Sequence, residues 1–232
     1  IIVSTGASNV AVGKSALDAN TTGADNTGIG TLALSANTTA SNNVAVGRSA
    51  LQSSTTADNN VAIGYNALLS NTTGDRNIAI GAVAADALTE GARNVAIGYQ
   101  ALSADTLGSR TVAIGHNALS VQNLTTATNT YNVAVGHEAG AAATTSIQNT
   151  LIGALAGDAL TTSAGLNVAV GYAALSSDTL GANSVAIGRA ALSNQNFTTA
   201  TDTYNVAVGY GAGSSVTTGT HNTLIGGTAG DA

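Results

Sequence analysis

Apolar and small residues alternate in short stretches that recur along the whole chain. In the segment NVAIGYNALLSNTTGDR (Asn60–Arg76), Val61 and Ile63 flank Ala62, and a glycine follows at once. Alternation with a period of two residues predicts a β-strand, and the glycine predicts a tight corner at the end of the strand. The preceding segment, NVAVGRSALQSSTTADN (Asn43–Asn59), has the same pattern, and no residue separates the two copies. The chain therefore repeats one short structural unit.

Thirteen such units align along the chain, with steps of 17, 18 or 21 residues between them. They begin at residues 9, 26, 43, 60, 77, 94, 111, 132, 149, 167, 184, 205 and 222. This period is too short for a helix pair, and it suits one coil of a β-solenoid whose strands stack about 4.8 Å apart. We predict an all-β fold, a parallel β-solenoid (β-roll) of about thirteen 17-residue coils in a single repeat domain over residues 1–232.

A longer repeat overlies the coils. Residues 94–166 form a block of four coils, and a similar block starts at residue 167 and continues to residue 232. In each block one coil carries four extra residues, in SVQNLTTATNTY (Ser120–Tyr131) and in SNQNFTTATDTY (Ser193–Tyr204). Insertions in solenoids form loops on one face, which is often the binding face.

The two inserted loops, residues 120–131 and 193–204, have two interpretations. In the first, they contact a host-cell surface glycan or protein through Leu124, Tyr131, Phe197 and Tyr204. In the second, which we favour, Leu124 and Phe197 tuck under neighbouring coils and only brace the solenoid.

The type of side chain at each position of a coil predicts how the core is built. Because β-branched residues suit a half-buried strand, we expect Val61 and Ile63 to point inward and Leu68 to close the core from the opposite side. The asparagine that opens most coils, such as Asn60, predicts a ladder of hydrogen bonds between stacked coils. Threonines at the same spacing, such as Thr72, predict a second ladder.

The middle residue of each strand is then expected to face away from the core. Alanine is a poor strand former, so its recurrence at this position indicates that another copy of the chain packs closely against it. We predict a closed, cyclic homo-oligomer, because so slim a coil buries little apolar surface by itself. The predicted interface residues are Ala11, Ala45, Ala62, Ala79, Ala96, Ala113, Ala134, Leu151, Ala169, Ala186, Ala207 and Leu224.

Composition and charge exclude several classes of partner. Only 8% of the residues are charged, and the formal net charge of -6 disfavours nucleic acid. The few lysines and arginines are scattered, so we expect no binding to an anionic membrane, and no run of 18 apolar residues predicts insertion into one. The chain has no cysteine, which excludes disulfides and thiolate metal sites. Because it opens without methionine, we expect it to be a segment of a longer protein.

Candidate chemistry is sparse in this sequence. His116 and His137 share the position after the corner glycine in consecutive coils, and two stacked imidazoles are able to bind a metal ion. Other coils have Lys14, Tyr65 or Ala82 at this position, which is typical of an exposed site under little constraint. The sequence contains no recurring calcium-binding aspartate, no nucleophile elbow and no nucleotide-binding motif. We therefore expect no metal site, no cofactor and no enzymatic activity.

Two motifs resemble those of known fibrous proteins. NSVAIGRAA (Asn183–Ala191) resembles the head repeats of trimeric autotransporter adhesins, and SNTTGDRNIAIG (Ser70–Gly81) resembles repeat regions of phage tail fibres. The resemblance extends over all thirteen coils, although these coils are longer than those of adhesin heads and Ala191 stands where that family often has serine. It implies a left-handed parallel β-roll assembled as a homotrimer, with the small residues near the threefold axis.

The repeat and the resemblance together predict a structural function. We expect a segment of an extracellular or virion surface fibre, in which a rigid trimeric β-solenoid shaft or head supports adhesion to cells or surfaces. The alternative is a receptor- or glycan-binding module that acts through loops 120–131 and 193–204. An ice-binding solenoid is disfavoured, because paired threonines such as Thr72 and Thr73 are not kept in every coil. Both a phage fibre and a bacterial adhesin remain open.

Overall fold

The computed structural model describes residues 5–162 and 165–231, and the regular structure in these two ranges is β-strand without helix. The strands are β1 Val10–Val12, β2 Thr27–Ile29, β3 Val44–Val46, β4 Val61–Ile63, β5 Ile78–Ile80, β6 Val95–Ile97, β7 Gly108–Ser109, β8 Val112–Ile114, β9 Thr128–Asn129, β10 Val133–Val135, β11 Thr150–Ile152, β12 Val168–Val170, β13 Gly181–Ala182, β14 Val185–Ile187, β15 Thr201–Asp202, β16 Val206–Val208 and β17 Thr223–Ile225. The prediction of an all-β fold is confirmed.

Thirteen of these strands have three residues each, one per turn, and they form a parallel β-solenoid of about thirteen turns. The chain divides into two compact units, Ile1–Thr111 with Asn123–Asn129 and Val112–Gln122 with Thr130–Ala232. In the first unit β1 to β6 pair in chain order, and β7 pairs with β9. In the second unit β8, β10, β11, β12, β14, β16 and β17 pair in that order, and β13 pairs with β15.

Residues with positive φ at a few positions form the sharp corners of each turn. Gly64 ends β4 with φ of 141°, and a Cβ placed on it would lie 2.4 Å from the carbonyl oxygen of Gly81 in the next turn. The predicted glycine corner is therefore confirmed, since both the positive φ and the close backbone contact exclude a side chain. Asn59, Asn66 and Leu68 also have left-handed φ values of 61°, 56° and 50°, and equivalent positions repeat this in other turns.

Hydrogen-bond ladders connect successive turns. The backbone N–H of Asn60 donates to Oδ1 of Asn43 at 2.8 Å, and Nδ2 of Asn43 donates to the carbonyl oxygen of Ala57 at 2.9 Å. In the second ladder, Oγ1 of Thr55 donates to the carbonyl oxygen of Thr72 at 3.3 Å. Both predicted ladders are present. Their main partners are backbone groups of the adjacent turn, so they satisfy buried polar atoms that would otherwise destabilise a narrow core.

The core of each turn is small. A leucine packs into it from one wall, and the alanine in the middle of the strand packs into it from the opposite wall. Leu68 is fully buried as predicted, but the prediction for the strand residues is wrong. Ala62 in the middle of β4 is 0% exposed, whereas Ile63 beside it is 38% exposed. The same inward position holds Ala45, Ala79, Ala96, Ala113, Ala134, Ala169, Ala186 and Ala207, all 0% exposed, and Leu151 at 1%. Ala11 is exposed and Leu224 half-buried because they belong to the first and last turns.

The width of the coil explains why alanine faces inward. The inward residue of a strand meets the leucine of the opposite wall, so a larger side chain fits only where that leucine is missing. At Gly140 and Gly157, which stand in the leucine position, an added Cβ would lie 2.8 Å and 2.7 Å from the methyl groups of Leu151. Leu151 therefore fills the volume that two glycines leave open. Leu224 does the same beside Gly213, where the corresponding distance is 2.8 Å.

Candidate interaction surface

In each unit the outward-facing residues of the three-residue strands form a continuous surface, which we call the Val/Ile face. Each strand contributes its first and third residues, such as Val61 and Ile63 of β4 or Val185 and Ile187 of β14. Over thirteen strands these are 26 positions, of which 23 are valine or isoleucine and three are threonine. The pairing is in register, so each outward residue stands beside its equivalent in the next turn, as Val61 does beside Ile78.

The Val/Ile face is apolar and partly open to water in a single chain. Ile29, Ile63, Ile78 and Ile187 are each 38% exposed, and Ile152 is 40% exposed. None of the 26 outward positions carries a charge. Isolated apolar residues are normal on protein surfaces, but a contiguous apolar patch marks a surface on which something packs. The face is therefore the strongest candidate interaction surface of this chain.

The alanines predicted to form an interface face the core instead, and the outward strand positions are their neighbours in sequence. A side chain that is already fully buried within one chain, such as Ala62 or Ala186, has no surface left to offer to a second copy. The inference that an apolar face of the strands is left uncovered still holds, but that face carries the valines and isoleucines. The predicted alternation along the strand is confirmed, but the prediction of which residues face inward and which face outward is wrong.

Exposed planar side chains follow the corner glycines next to the Val/Ile face. In the second unit the guanidinium of Arg189 lies 5.9 Å from the ring centroid of Tyr172 and 5.6 Å from that of Tyr210. In the first unit Arg48 lies 5.8 Å from the ring of Tyr65. Such cation–π contacts contribute modestly at exposed sites, about 0.5–1 kcal/mol each. They order side chains on adjacent turns, at a position that the sequence predicts to be under little constraint.

Each inserted loop is anchored to the solenoid by one buried apolar side chain. Leu124 and Phe197 are each 6% exposed, so these two side chains are not available to a ligand. Their burial agrees with the expectation that they tuck under neighbouring coils, and the bracing role of the loops stays a prediction. Tyr131 and Tyr204 are 48% and 52% exposed, and the Tyr204 ring lies 5.3 Å from the ring of His221. Of the four residues proposed as ligand contacts, only these two tyrosines present surface.

A buried carboxylate organises each inserted loop. Asp178 is 0% exposed, and its Oδ1 accepts hydrogen bonds from the backbone N–H groups of Gly181 and Phe197 at 3.0 Å and 3.1 Å. Its Oδ2 accepts from Nε2 of Gln195 at 2.6 Å. In the first unit Asp105 is also 0% exposed and accepts from the N–H of Leu124 at 3.2 Å.

These aspartates were missed by sequence reasoning, although a signal was available. Asp105 and Asp178 each stand one turn before an insertion, at a position where other turns have asparagine, as at Asn37 and Asn71. In those turns the asparagine Nδ2 donates to a carbonyl oxygen, at 3.1 Å for Asn37 and 2.9 Å for Asn71. The inserted loop instead presents N–H donors, and an acceptor-only carboxylate suits them better than an amide does.

Asp58 and Asp75 lie 17 residues apart, at the same position of consecutive turns, and both carboxylates have a structural role. Oδ1 of Asp58 accepts from the backbone N–H of Ser41 at 2.6 Å, and Oδ1 of Asp75 accepts from the N–H of Asp58 at 2.8 Å. Each carboxylate therefore bonds to the backbone of the preceding turn. These bonds link consecutive turns as the asparagine ladder does, but the aspartate side chains bond to the preceding turn and the asparagine side chains to the following one.

Comparison with protein-family models, with curated proteins and with solved structures finds no match for this chain. Residues 5–162 and 165–231 contain no helix that is long and apolar enough to cross a membrane.

Proposed function

We propose that this chain is a structural segment of an extracellular or virion surface fibre. In this proposal identical copies associate as a homotrimer through their Val/Ile faces, and the assembled β-solenoid is a rigid shaft or head that supports adhesion to cells or surfaces. The segment acts by its shape and stiffness and not by catalysis.

The observation that carries the proposal is the exposed Val/Ile face. Covering Ile63 and its equivalents would remove apolar surface from water, which contributes about 25 cal/mol per Å². An identical copy is the partner that suits this face best, because its outward residues repeat with the same spacing from turn to turn. The face also lacks charges that would select a different partner. Closed cyclic symmetry would cover the face on every copy, whereas an open arrangement would leave it exposed on the terminal copies.

The ladders between turns support a role as a rigid spacer. Every turn in a unit is bonded to the next through strand pairing and through side chains such as Asn43, Asn60 and Thr55. In a repeat protein each unit contacts only its neighbours, so such bonds determine how well the array resists separation. Continuous bonding from turn to turn is what a spacer between an anchor and a binding tip requires.

The assembly is tested by the mass of the purified protein in solution, measured by light scattering and by native mass spectrometry. We expect a particle of about three times the 22.4 kDa chain. Ile63→Glu places a charge on the Val/Ile face and should yield single chains with an unchanged circular dichroism spectrum. Tyr65→Glu is the matched control, since Tyr65 is 49% exposed outside the face and its substitution should preserve the trimer. A wild-type protein that stays a single chain at high concentration would contradict the proposal.

The surface location needs a separate test. Antibodies raised against the purified segment should label intact cells or virions of the source in immunogold electron microscopy. Labelling that requires lysis of the particles would argue against a surface fibre, whatever the oligomeric state of the segment.

A further inference from the structure

Two histidines on adjacent turns of the second unit lie one above the other. His116 follows Gly115 and His137 follows Gly136, and the strands before them pair in register, with Ile114 beside Val135. The two imidazole rings are 5.0 Å apart between centroids and 5° from parallel. Their positions are thus set by the same strand pairing that builds the solenoid.

Glu138 adds a carboxylate to this pair. Its Oε2 lies 3.9 Å from Nδ1 of His137, and its backbone N–H donates to the carbonyl oxygen of His116 at 2.9 Å. One possible ligand atom from each of the three residues lies within 4.8 Å of the other two. Glu138 directly follows His137, so this third possible ligand lies outside the position that the two histidines share.

We propose that His116, His137 and Glu138 bind one divalent transition-metal ion of the class that imidazole prefers, Zn²⁺, Ni²⁺ or Cu²⁺. Two histidines and one glutamate are a known donor set for zinc, with Zn–N distances of about 2.0–2.1 Å. Imidazole nitrogen suits these ions, whereas Ca²⁺ and Mg²⁺ require oxygen ligands.

Side-chain rotations are needed to complete the site. Two nitrogens on one tetrahedral zinc ion are about 3.3 Å apart, so the ligand atoms must approach by about 1.5 Å at most. Rotation about the side-chain bonds must also turn the two rings out of their parallel stack, because imidazole nitrogen binds a metal ion in the plane of the ring. The side chains of His137 and Glu138 are 56% and 36% exposed, which leaves space on the solvent side for this rotation. The remaining coordination positions face solvent and are filled by water or by a ligand atom of another molecule.

The test is a calorimetric titration of tag-free, EDTA-treated protein with ZnCl₂. We expect one zinc ion per chain, and we expect His116→Ala and His137→Ala each to weaken binding by about tenfold or more. Glu138→Gln should weaken it less, because the amide oxygen is a poorer ligand than the carboxylate. His221→Ala is the matched control, since His221 is the third histidine and lies against Tyr204 away from this cluster. The His221→Ala variant should bind zinc with the same affinity as the wild type.

A second measurement keeps the proposal testable without substitutions. Zinc added to the wild-type protein should shift the histidine ring signals of His116 and His137 in nuclear magnetic resonance spectra and leave those of His221 unchanged. Absence of zinc binding, or equal binding in all four variants, would overturn the proposal. Because the readout is metal binding, the result does not depend on whether the chain forms a fibre.

Discussion

Nε2 of Gln195 donates to Oδ2 of Asp178 at 2.6 Å, and both side chains are fully buried. Gln195 belongs to the second inserted loop, whereas Asp178 lies in the turn before it. Oε1 of Gln195 accepts from Nδ2 of Asn205 at 2.8 Å, which fixes the orientation of the glutamine amide. The loop is therefore attached to the solenoid by a directional chain of buried hydrogen bonds.

Asp178→Asn should destabilise the protein despite its small change in shape. In the variant, the side-chain oxygen of the new asparagine would accept from the N–H groups of Gly181 and Phe197. Its NH₂ group would then face Nε2 of Gln195, and two donors would meet without an acceptor. We expect a loss of about 1–3 kcal/mol in the free energy of unfolding, measured by chemical denaturation. Asp202→Asn, at an exposed position, should change it by less than about 0.5 kcal/mol. Equal effects of the two substitutions would contradict this role of Asp178.

Replacement of a corner glycine by alanine should lower the free energy of unfolding by different amounts at different corners. Gly64→Ala combines an unfavourable φ of 141° with a Cβ only 2.4 Å from the carbonyl oxygen of Gly81. Gly226 has φ of 123° in the last turn, and no atom lies within 4 Å of a Cβ built there. We expect Gly226→Ala to cost about 1–3 kcal/mol from backbone strain alone and Gly64→Ala to cost more. Thermal unfolding of both variants measures the difference, and an equal loss would show that the contact with Gly81 has no effect.

Most of the fold could be predicted from the sequence because its period is so regular. A glycine that recurs at Gly64 and Gly81 requires a special backbone conformation, and a leucine such as Leu68 recurs in phase with it. These features depend on local chemistry and on the repeat, so they needed no knowledge of distant contacts. The asparagine ladder followed from the same register.

The orientation of the strands could not be derived from alternation alone. A period of two separates Ala62 from Val61 and Ile63, but both sets are apolar, and the pattern does not say which one faces the core. The preference of β-branched residues for strand interiors favoured the wrong side. The deciding signal was the pairing of Leu151 with Gly140 and Gly157, which shows that the middle position competes with the leucine for the same volume.

Val83 should be an unfavourable residue for its backbone conformation. Its φ is 51°, a left-handed value that β-branched residues rarely adopt, while the equivalent residues of other turns include Asn66 and Asn117. Val83→Asn should raise the free energy of unfolding by about 1 kcal/mol, because asparagine tolerates this conformation. Val83→Ala is the control for loss of the side chain alone and should not stabilise the protein as much. Denaturation of both variants would decide, and an unstable asparagine variant would refute the argument.

Asp86 should lower the stability of the protein as the pH rises, whereas a carboxylate paired with a positive charge raises it. Burial raises the pKa of Asp86 above its usual value of 3.8, despite hydrogen bonds from the backbone at Asp86 and Ala87. The ionised form is therefore disfavoured in the folded state, so the penalty is absent below pH 3.8 and develops as the pH rises through the folded pKa. Asp86→Asn should raise the melting temperature near neutral pH and have little effect below pH 3.8.

The exposed Asp25 provides the control for this pH dependence, because Asp25→Asn changes the net charge by the same amount. Melting temperatures of both variants are compared with the wild type at each pH by circular dichroism. A gain for Asp86→Asn that is as large at acidic as at neutral pH would contradict an effect of ionisation.

Leu151 and Leu166 provide the most direct test of which side of a strand faces the core. Leu151, in the middle of β11, is 1% exposed and fills the volume beside Gly140 and Gly157, whereas Leu166 is 51% exposed outside the strands. Leu151→Ala should leave a cavity and lower the free energy of unfolding by about 2–5 kcal/mol. Leu166→Ala should lower it by less than about 0.5 kcal/mol. Equal losses on denaturation would mean that the middle strand position does not build the core, and the inward alanine column would have to be abandoned with it.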